Sequence, residues 1–240
     1  MTALSLVSKG DLAFLCEPAG GGSASVAVDV SEQRTSITDN TTYCSEANSA
    51  RTAIAAPRTI CVVVDMTTGS SGFLVHHGTS AVAYKYAISK SGTNIRLSEN
   101  AAVILTVAVP GLAAAARKFL IHWAQRPDGA FNFNECVIYN FATAAWVFGS
   151  VTATAITPVS TDTFTIGATT TGTSAYSLGM TAFYTVAVGR RFHSTTESVI
   201  DHVAVPTPPS MPGRRRTPRI TGASTDLTIA GDGNFAGPQY

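Results

Sequence analysis

Alternation of apolar and polar residues with a period of two is the feature that most constrains how this chain folds. Apolar residues take every second position in the segments 26–30, 82–89 and 119–124. Successive side chains of a β-strand point to opposite faces, so this period places one face of each strand against a core. Continuous runs rich in β-branched residues at 60–64 and 103–109 instead predict central strands buried on both faces.

Turn residues separate these runs at short intervals. Polar stretches containing glycine lie at 68–72, 90–92, 127–129 and 169–172. Short strands separated by such turns are typical of a sandwich of two antiparallel sheets. Asp128-Gly129 predicts a hairpin, with a loop longer than two residues, between strands at 118–125 and 135–141.

Helix signals are scarce. The segment 194–197 reads Ser-Thr-Thr-Glu and has the form of a capping box, with apolar residues following at helical spacing. It predicts one short helix near the end of the domain. A turn or two of helix would also fit the segment 110–118, at a crossing between strands.

The two ends of the chain differ in composition from its middle. Prolines concentrated in 206–218 cannot donate ladder hydrogen bonds and favour extended backbone. We therefore predict a Pro/Arg-rich extended C-terminal arm at 206–240. The segment 1–55 is irregular and predicts an N-terminal arm that contributes one or two first strands. The sandwich domain is predicted at 56–205.

The chain carries little charge. Charged residues are 13% of the sequence, about half the usual share, and the net charge is +1. A hydroxyl-rich surface of this kind suits a subunit covered by neighbours, and equally a compositional bias of the coding genome. No apolar run reaches the ~18 residues that a membrane span needs. Lys9 and Asp11 interrupt the short apolar N-terminus, so no signal peptide is predicted.

A series of landmarks in the middle of the chain resembles a known family. In chain order they are Lys118-Phe-Leu-Ile-His-Trp-Ala-Gln125, the turn Asp128-Gly129, Cys136-Val-Ile-Tyr139, Asp162-Thr-Phe-Thr-Ile-Gly167 and Arg191-Phe-His193 before the capped segment. From about residue 59 to residue 202 this order is similar to the laminin-G-like branch of the concanavalin A-like lectin and glucanase superfamily. The resemblance implies an antiparallel jelly-roll sandwich with one short C-terminal helix and extended arms.

Glucanases of that superfamily carry a nucleophile and an acid/base in a short run of acids on one strand, and this chain has no such run. The glutamates are scattered, and none has a second carboxylate on the same strand face; they are Glu17, Glu32, Glu46, Glu99, Glu135 and Glu197. Asp65 and Asp162, the acids near the loops that bind calcium in some members, have no acidic neighbour. We predict no catalytic residue, no cofactor and no metal.

Histidine and cysteine patterns agree with this prediction. His76 and His77 are adjacent on a strand, so they point to opposite faces and do not readily share one metal ion; we predict one buried and one exposed. The cysteines are widely spaced and form no CxxC pair, which predicts four reduced thiols; they are Cys16, Cys44, Cys61 and Cys136.

Aromatic residues and one arginine cluster are the candidate binding groups. A sugar-stacking platform or a buried core would each account for the aromatics, which are Trp123, Trp146, Tyr84, Tyr86 and Tyr139. Nucleic-acid binding, pairing with acidic patches on a neighbouring subunit, or solvation in a tail would each account for the arginines, which are Arg214, Arg215, Arg216 and Arg219. Neither interleaved aromatics nor a basic domain surface is present, so we favour a subunit interface.

These features give two main hypotheses. Laminin-G-like domains recur in bacteriophage tail and surface proteins, so the resemblance implies a non-catalytic virion protein, either a minor tail protein or a capsid-decorating protein. Such a protein is assembled in the host cytoplasm, in many copies or as a homo-oligomer, and binds other virion proteins. The alternative is a carbohydrate-binding module for a host cell-surface glycan. A glycosidase is a third hypothesis and requires two carboxyl groups roughly 5–10 Å apart across a cleft.

Overall fold

The computed structural model describes residues 12–16, 26–29, 34–37, 43–46, 52–69, 71–167, 179–190, 192 and 228–230. Within these ranges the chain forms fifteen strands and no helix. The strands are β1 (Leu12–Cys16), β2 (Val26–Asp29), β3 (Arg34–Ile37), β4 (Tyr43–Glu46), β5 (Arg58–Met66), β6 (Gly72–Ser80), β7 (Ala83–Ser91), β8 (Asn94–Glu99), β9 (Ala102–Ala108), β10 (Arg117–Asp128), β11 (Phe131–Asn140), β12 (Ala145–Thr154), β13 (Thr163–Ile166), β14 (Ala182–Gly189) and β15 (Thr228–Ala230).

The strands form two antiparallel sheets. The first sheet has the order β12-β11-β10-β5-β14-β3-β2, and β1 also pairs with β14. The second sheet has the order β15-β4-β13-β6-β7-β8-β9. Side chains from both sheets meet in one hydrophobic core. This architecture confirms the predicted all-β, antiparallel jelly-roll sandwich.

Strand β5 lies at the centre of the first sheet and is buried along its whole length. All nine of its residues are buried. Ile60, Val62 and Val64 belong to the core between the sheets, whereas Cys61 and Val63 belong to a smaller cluster on the outer face of the first sheet. The prediction of a central strand with two covered faces is therefore confirmed for the run 60–64.

The same prediction is wrong for the run 103–109. Strand β9 is the last strand of the second sheet, and only Val107 within it is buried. Val103 is 51% exposed. The run is apolar because one of its faces closes the core, while its position leaves the other face and one edge uncovered.

Three local predictions are also corrected. Asp128 pairs directly with Phe131, so the hairpin turn holds only two residues, and Gly129 adopts a positive φ of 63° there. The segment 110–116 contains turns and bends and no helix. Four strands, not one or two, lie within 1–55.

The other predictions for the chain ends concern the capped segment, the C-terminal arm and the domain boundaries. The capped segment 194–197 lies outside the described residues. In the predicted C-terminal arm, the described residues form β15, which pairs with β4. The predicted boundaries at 55/56 and 205/206 stay predictions. Across the described ranges, no helix has the length and apolar character that a membrane crossing would require.

Candidate functional site

The end strand of the first sheet, β12, presents a row of side chains to solvent. Its ten residues alternate strictly between half-buried and exposed. The half-buried Val147 packs against the core between the sheets. Because side chains alternate along a strand, the exposed even-numbered residues all lie on the outer face of the first sheet.

Two of these exposed residues are large aromatics. Trp146 is 58% exposed and Phe148 is 44% exposed, and their spacing of two places both rings on one face. Tyr139 of β11 lies directly opposite Trp146, and its ring meets that of Phe141 edge-on with centroids 5.1 Å apart. Tyr139 and Phe141 also pack on the outer-face cluster of the first sheet. We call these four residues the aromatic strip.

The edge beside the aromatic strip carries no charge. Neither β12 nor β9 contains an Asp, Glu, Lys or Arg residue, and the two strands end their sheets on the same side of the sandwich. A Cβ atom on Gly149 of β12 would lie 2.9 Å from Cγ2 of Val107 in β9, so the two strands are in close contact there. We call β9 and β12 together the uncharged edge.

An uncharged edge strand is unusual in a soluble protein. End strands expose a row of backbone N–H and C=O groups, and charged residues, prolines or bulges normally prevent other strands from adding to them. Strand β12 pairs with β11 through ten successive residue pairs with no bulge, and it contains no proline. No other strand among those described pairs with its free side. As far as the described strands show, this edge is open to strand addition.

The aromatics that either a sugar-stacking platform or a buried core would explain lie in different environments. Trp123 and Tyr86 are fully buried. The indole Nε1 of Trp123 donates to Oδ1 of Asn134 at 2.9 Å, and the Tyr86 hydroxyl donates to the carbonyl of Thr52 at 2.8 Å. These two residues belong to the core, while Trp146 has the exposure that ligand stacking requires.

A buried polar network joins the two sheets at one end of the core. Nη2 of Arg58 in β5 lies 3.2 Å from Oε1 of Glu99 in β8, with side chains 1% and 2% exposed. The Arg58 guanidinium also lies 4.1 Å from the ring centroid of Tyr86. Nε2 of Gln125 donates to Oε1 of Glu99, and also to Oδ1 of Asn134 at 2.5 Å.

Burial dominates the electrostatics of this network. Removal from water lowers the pKa of the Arg58 guanidinium, while the nearby Tyr86 and Glu99 act to raise that pKa. It raises the pKa of the Glu99 carboxyl, while Arg58 and the hydrogen bond from Gln125 hold that pKa down. Oε1 of Glu99 is therefore held by Arg58 and Gln125 within the core. These contacts link β5, β10 and β11 of the first sheet to β8 of the second.

His76 and His77 are both buried, on opposite faces of β6, so the predicted exposure of one ring is wrong. The ring of His77 stacks on Tyr86 at 4.9 Å, and its Nδ1 lies 4.0 Å from Oδ2 of Asp162. His76 lies on the other side of the strand, with its ring centroid 5.2 Å from that of Phe73 and 5.1 Å from that of Tyr84. Burial lowers the pKa of His76 to about 4, although the contact with a backbone carbonyl raises it slightly. His76 is therefore neutral at pH 7.

Two of the four cysteines lie in described surroundings, and both are free and buried. Burial raises the pKa of the Cys136 thiol to about 12 and raises that of Cys61 further. Both thiols are protonated at pH 7 and unreactive, because the thiolate is the nucleophile. In the described part of the chain, no three His, Cys, Asp or Glu side chains come together in a way that could hold a metal ion.

The four predicted interface arginines lie outside the described residues; they are Arg214, Arg215, Arg216 and Arg219. Strand β12, which carries Trp146 and Phe148 of the aromatic strip, was not among the strands predicted from the sequence. Its signal is the segment 145–154, in which aromatic residues are followed by hydroxyl residues at alternate positions and no residue is charged.

Comparison with solved structures finds distant likenesses to this chain. Neither a protein-family model nor a curated protein matches the sequence. A native heptameric SAP-like pentraxin from Limulus polyphemus matches at 12% identity and a TM-score of 0.42, over 80% of this chain and 82% of that one. The binding domain of botulinum neurotoxin DC in complex with SialylT matches at 5% identity and a TM-score of 0.44, over 80% and 46%.

A toad ovary galectin in complex with N-acetylgalactose also matches, at 10% identity and a TM-score of 0.31, over 60% of this chain and 96% of the galectin. The two antiparallel sheets of the chain itself show that it is an all-β protein with a jelly-roll sandwich fold.

Proposed function

We propose that this chain is a non-catalytic structural protein of a bacteriophage particle, either a minor tail protein or a capsid-decorating protein, that acts by binding neighbouring protein subunits. The observation that carries the proposal is the uncharged edge with Trp146 and Phe148 exposed beside it. The proposed location is the virion, after assembly in the host cytoplasm.

The composition of this surface supports protein binding. The buried centres of protein interfaces are depleted of charge and enriched in aromatic residues, and tryptophan is among the residues that contribute most to binding. The aromatic strip has this composition, and it adjoins a strand edge without the usual protection against strand pairing. A surface of this composition fits a subunit whose exposed aromatics are covered by a neighbour in an assembly.

The placement of the acids supports the absence of catalysis. A glycosidase needs two carboxyl groups that face each other across an open cleft. Four of the described acids are at most 5% exposed; they are Glu46, Asp65, Glu99 and Asp162. Glu99 is held by Arg58 and Gln125, and Asp65 accepts a hydrogen bond from the hydroxyl of Tyr184 at 3.1 Å. These contacts give both carboxylates a structural role.

The virion assignment is supported by the resemblance to laminin-G-like domains of phage particles and by the low charge of the chain. Its test is a mass-spectrometric inventory of purified particles of the phage that encodes the chain. We expect several copies per particle. Absence of the chain from particles that contain their other structural proteins would overturn the proposal.

A second experiment tests the surface itself. Replacing both Trp146 and Phe148 by Ser removes the exposed rings of β12 and should prevent incorporation of the chain into particles. Val82→Ser is the matched control, because Val82 is 79% exposed and lies on a turn between β6 and β7. Incorporation of the double variant at the normal level would show that this surface is not the one that binds.

Carbohydrate binding is the alternative function, and one observation favours it. The exposed Trp146 ring lies on the same strand face as a row of hydroxyl groups from Ser150, Thr152 and Thr154. Aromatic stacking with a few placed polar groups is typical of small-ligand recognition. A glycan array of bacterial wall polymers tests this function. Binding that Trp146→Ala abolishes and Val82→Ala preserves would establish it, and absence of binding would exclude it.

A further inference from the structure

We infer that β12 pairs antiparallel with β12 of a second copy of this chain, so that the first sheet continues from one molecule into the next. This inference rests on the proposed function, since it takes protein binding as the role of the uncharged edge. It names the bound neighbour as another copy of the same chain.

Among the end strands described, β12 is the one best suited to accept a partner strand. It has ten residues, or about 33 Å of edge, in an unbroken register with β11. Strand β9 is shorter, and its pairing with β8 has an irregularity between Leu97 and Ser98. At the other ends of the two sheets, β2 contains Asp29 and β15 has three residues.

The absence of charge on β12 favours an uncharged partner strand. A charged partner would lose hydration at this edge and find no opposite charge there, so the edge favours a strand that is equally uncharged. A two-fold axis normal to the sheet brings β12 against itself, and such an interface requires a self-complementary surface. An uncharged strand meets this requirement without like-charge repulsion.

The sizes of the exposed side chains are also self-complementary. The first half of β12 exposes the large Trp146 and Phe148, and the second half exposes the smaller Ser150, Thr152 and Thr154. Antiparallel pairing about a two-fold axis places the first half of one strand against the second half of the other. In the register centred on Gly149, Trp146 faces Thr152 of the other copy and Phe148 faces its Ser150. Pairs of an aromatic with a β-branched residue, such as Trp146 with Thr152 here, stabilise antiparallel strands.

The test is the oligomeric state of the full chain, measured by sedimentation velocity over a concentration series. We expect a concentration-dependent dimer. Ser150→Lys places two like charges close together across the two-fold axis, and it should raise the dimer dissociation constant at least about tenfold. Val82→Lys adds the same charge on an exposed turn and should leave dimerisation unchanged.

A charge exchange makes the test specific for self-pairing. Ser150→Glu alone should raise the dissociation constant to a similar extent, and an equimolar mixture of Ser150→Lys and Ser150→Glu should recover the dimer as a heterodimer. Circular dichroism of each variant establishes that it is folded. A wild-type chain that stays monomeric to about 100 μM, far above the μM range of ordinary specific association, would overturn the inference.

The two proposals fail in different ways. Monomeric wild-type chain together with normal presence in particles would overturn the self-pairing and leave the virion function standing. A dimer that the charge exchange restores, together with absence from particles, would overturn the virion function and leave the self-pairing standing.

Discussion

Arg58 and Glu99 form an ion pair across the interior of the sandwich, with Nη2 and Oε1 3.2 Å apart and both side chains almost fully buried. The pair joins β5 of the first sheet to β8 of the second. Each charge in the core therefore depends on the other for its stability.

Removing one member of this pair should be far more destabilising than removing both. Glu99→Leu leaves the Arg58 charge buried without its partner, and we expect the free energy of unfolding to fall by about 3–5 kcal/mol. The double variant Arg58→Met/Glu99→Leu should recover most of that loss. Urea unfolding of the three chains measures the effect. Equal losses in the single and double variants would contradict the proposed coupling.

His76 should make the protein less stable in mild acid. Its pKa is about 4 in the folded chain and 6.5 ordinarily. Between these values the unfolded chain binds a proton that the folded chain does not, so the free energy of unfolding falls as the pH drops from 6.5 to 4. The loss from this residue is at most about 3 kcal/mol.

His76→Gln keeps a hydrogen-bond donor for the carbonyl of Ser80, which lies 3.1 Å from the ring Nε2. It removes the titration, so its unfolding free energy should depend less on pH between pH 6.5 and pH 4 than that of the wild type. Thermal unfolding across this range makes the comparison. Parallel curves for the two chains would show that His76 is not the group responsible.

The turn between β8 and β9 contains a strained alanine. Asn100 and Ala101 have positive φ values of 46° and 61°, a conformation that glycine adopts without steric cost. We expect Ala101→Gly to stabilise the protein by up to about 1 kcal/mol. Ala102→Gly, at the next position, has no positive φ to relieve and should be destabilising. Destabilisation by both substitutions in denaturant unfolding would rule out strain at Ala101.

The two tryptophans should differ sharply in their effect on stability. Trp123 fills the core, so Trp123→Ala should reduce the free energy of unfolding by about 3–5 kcal/mol. Trp146 is 58% exposed, so Trp146→Ala should change it by no more than about 0.5 kcal/mol. Denaturant unfolding compares them. A large loss at Trp146 would mean that its role is structural and would weaken the binding proposal.

The amino-acid sequence by itself determined the class of fold. Period-two alternation and turn residues are local properties, and they predicted strands that the structure contains, including the hairpin at Asp128-Gly129. Alternation also fixed that His76 and His77 point to opposite faces, because the direction of a side chain follows from the backbone of its own strand.

Only the tertiary structure decided which of those faces and edges are covered. The runs 60–64 and 103–109 are alike in sequence, yet β5 gains a neighbour on each side, β10 and β14, from distant parts of the chain. Among the described strands, β9 pairs with β8 alone. Trp123 and Trp146 likewise both occupy alternating strand positions, one facing the core and the other solvent. Burial depends on which strands pair and which sheet packs opposite, and these contacts join residues far apart in sequence.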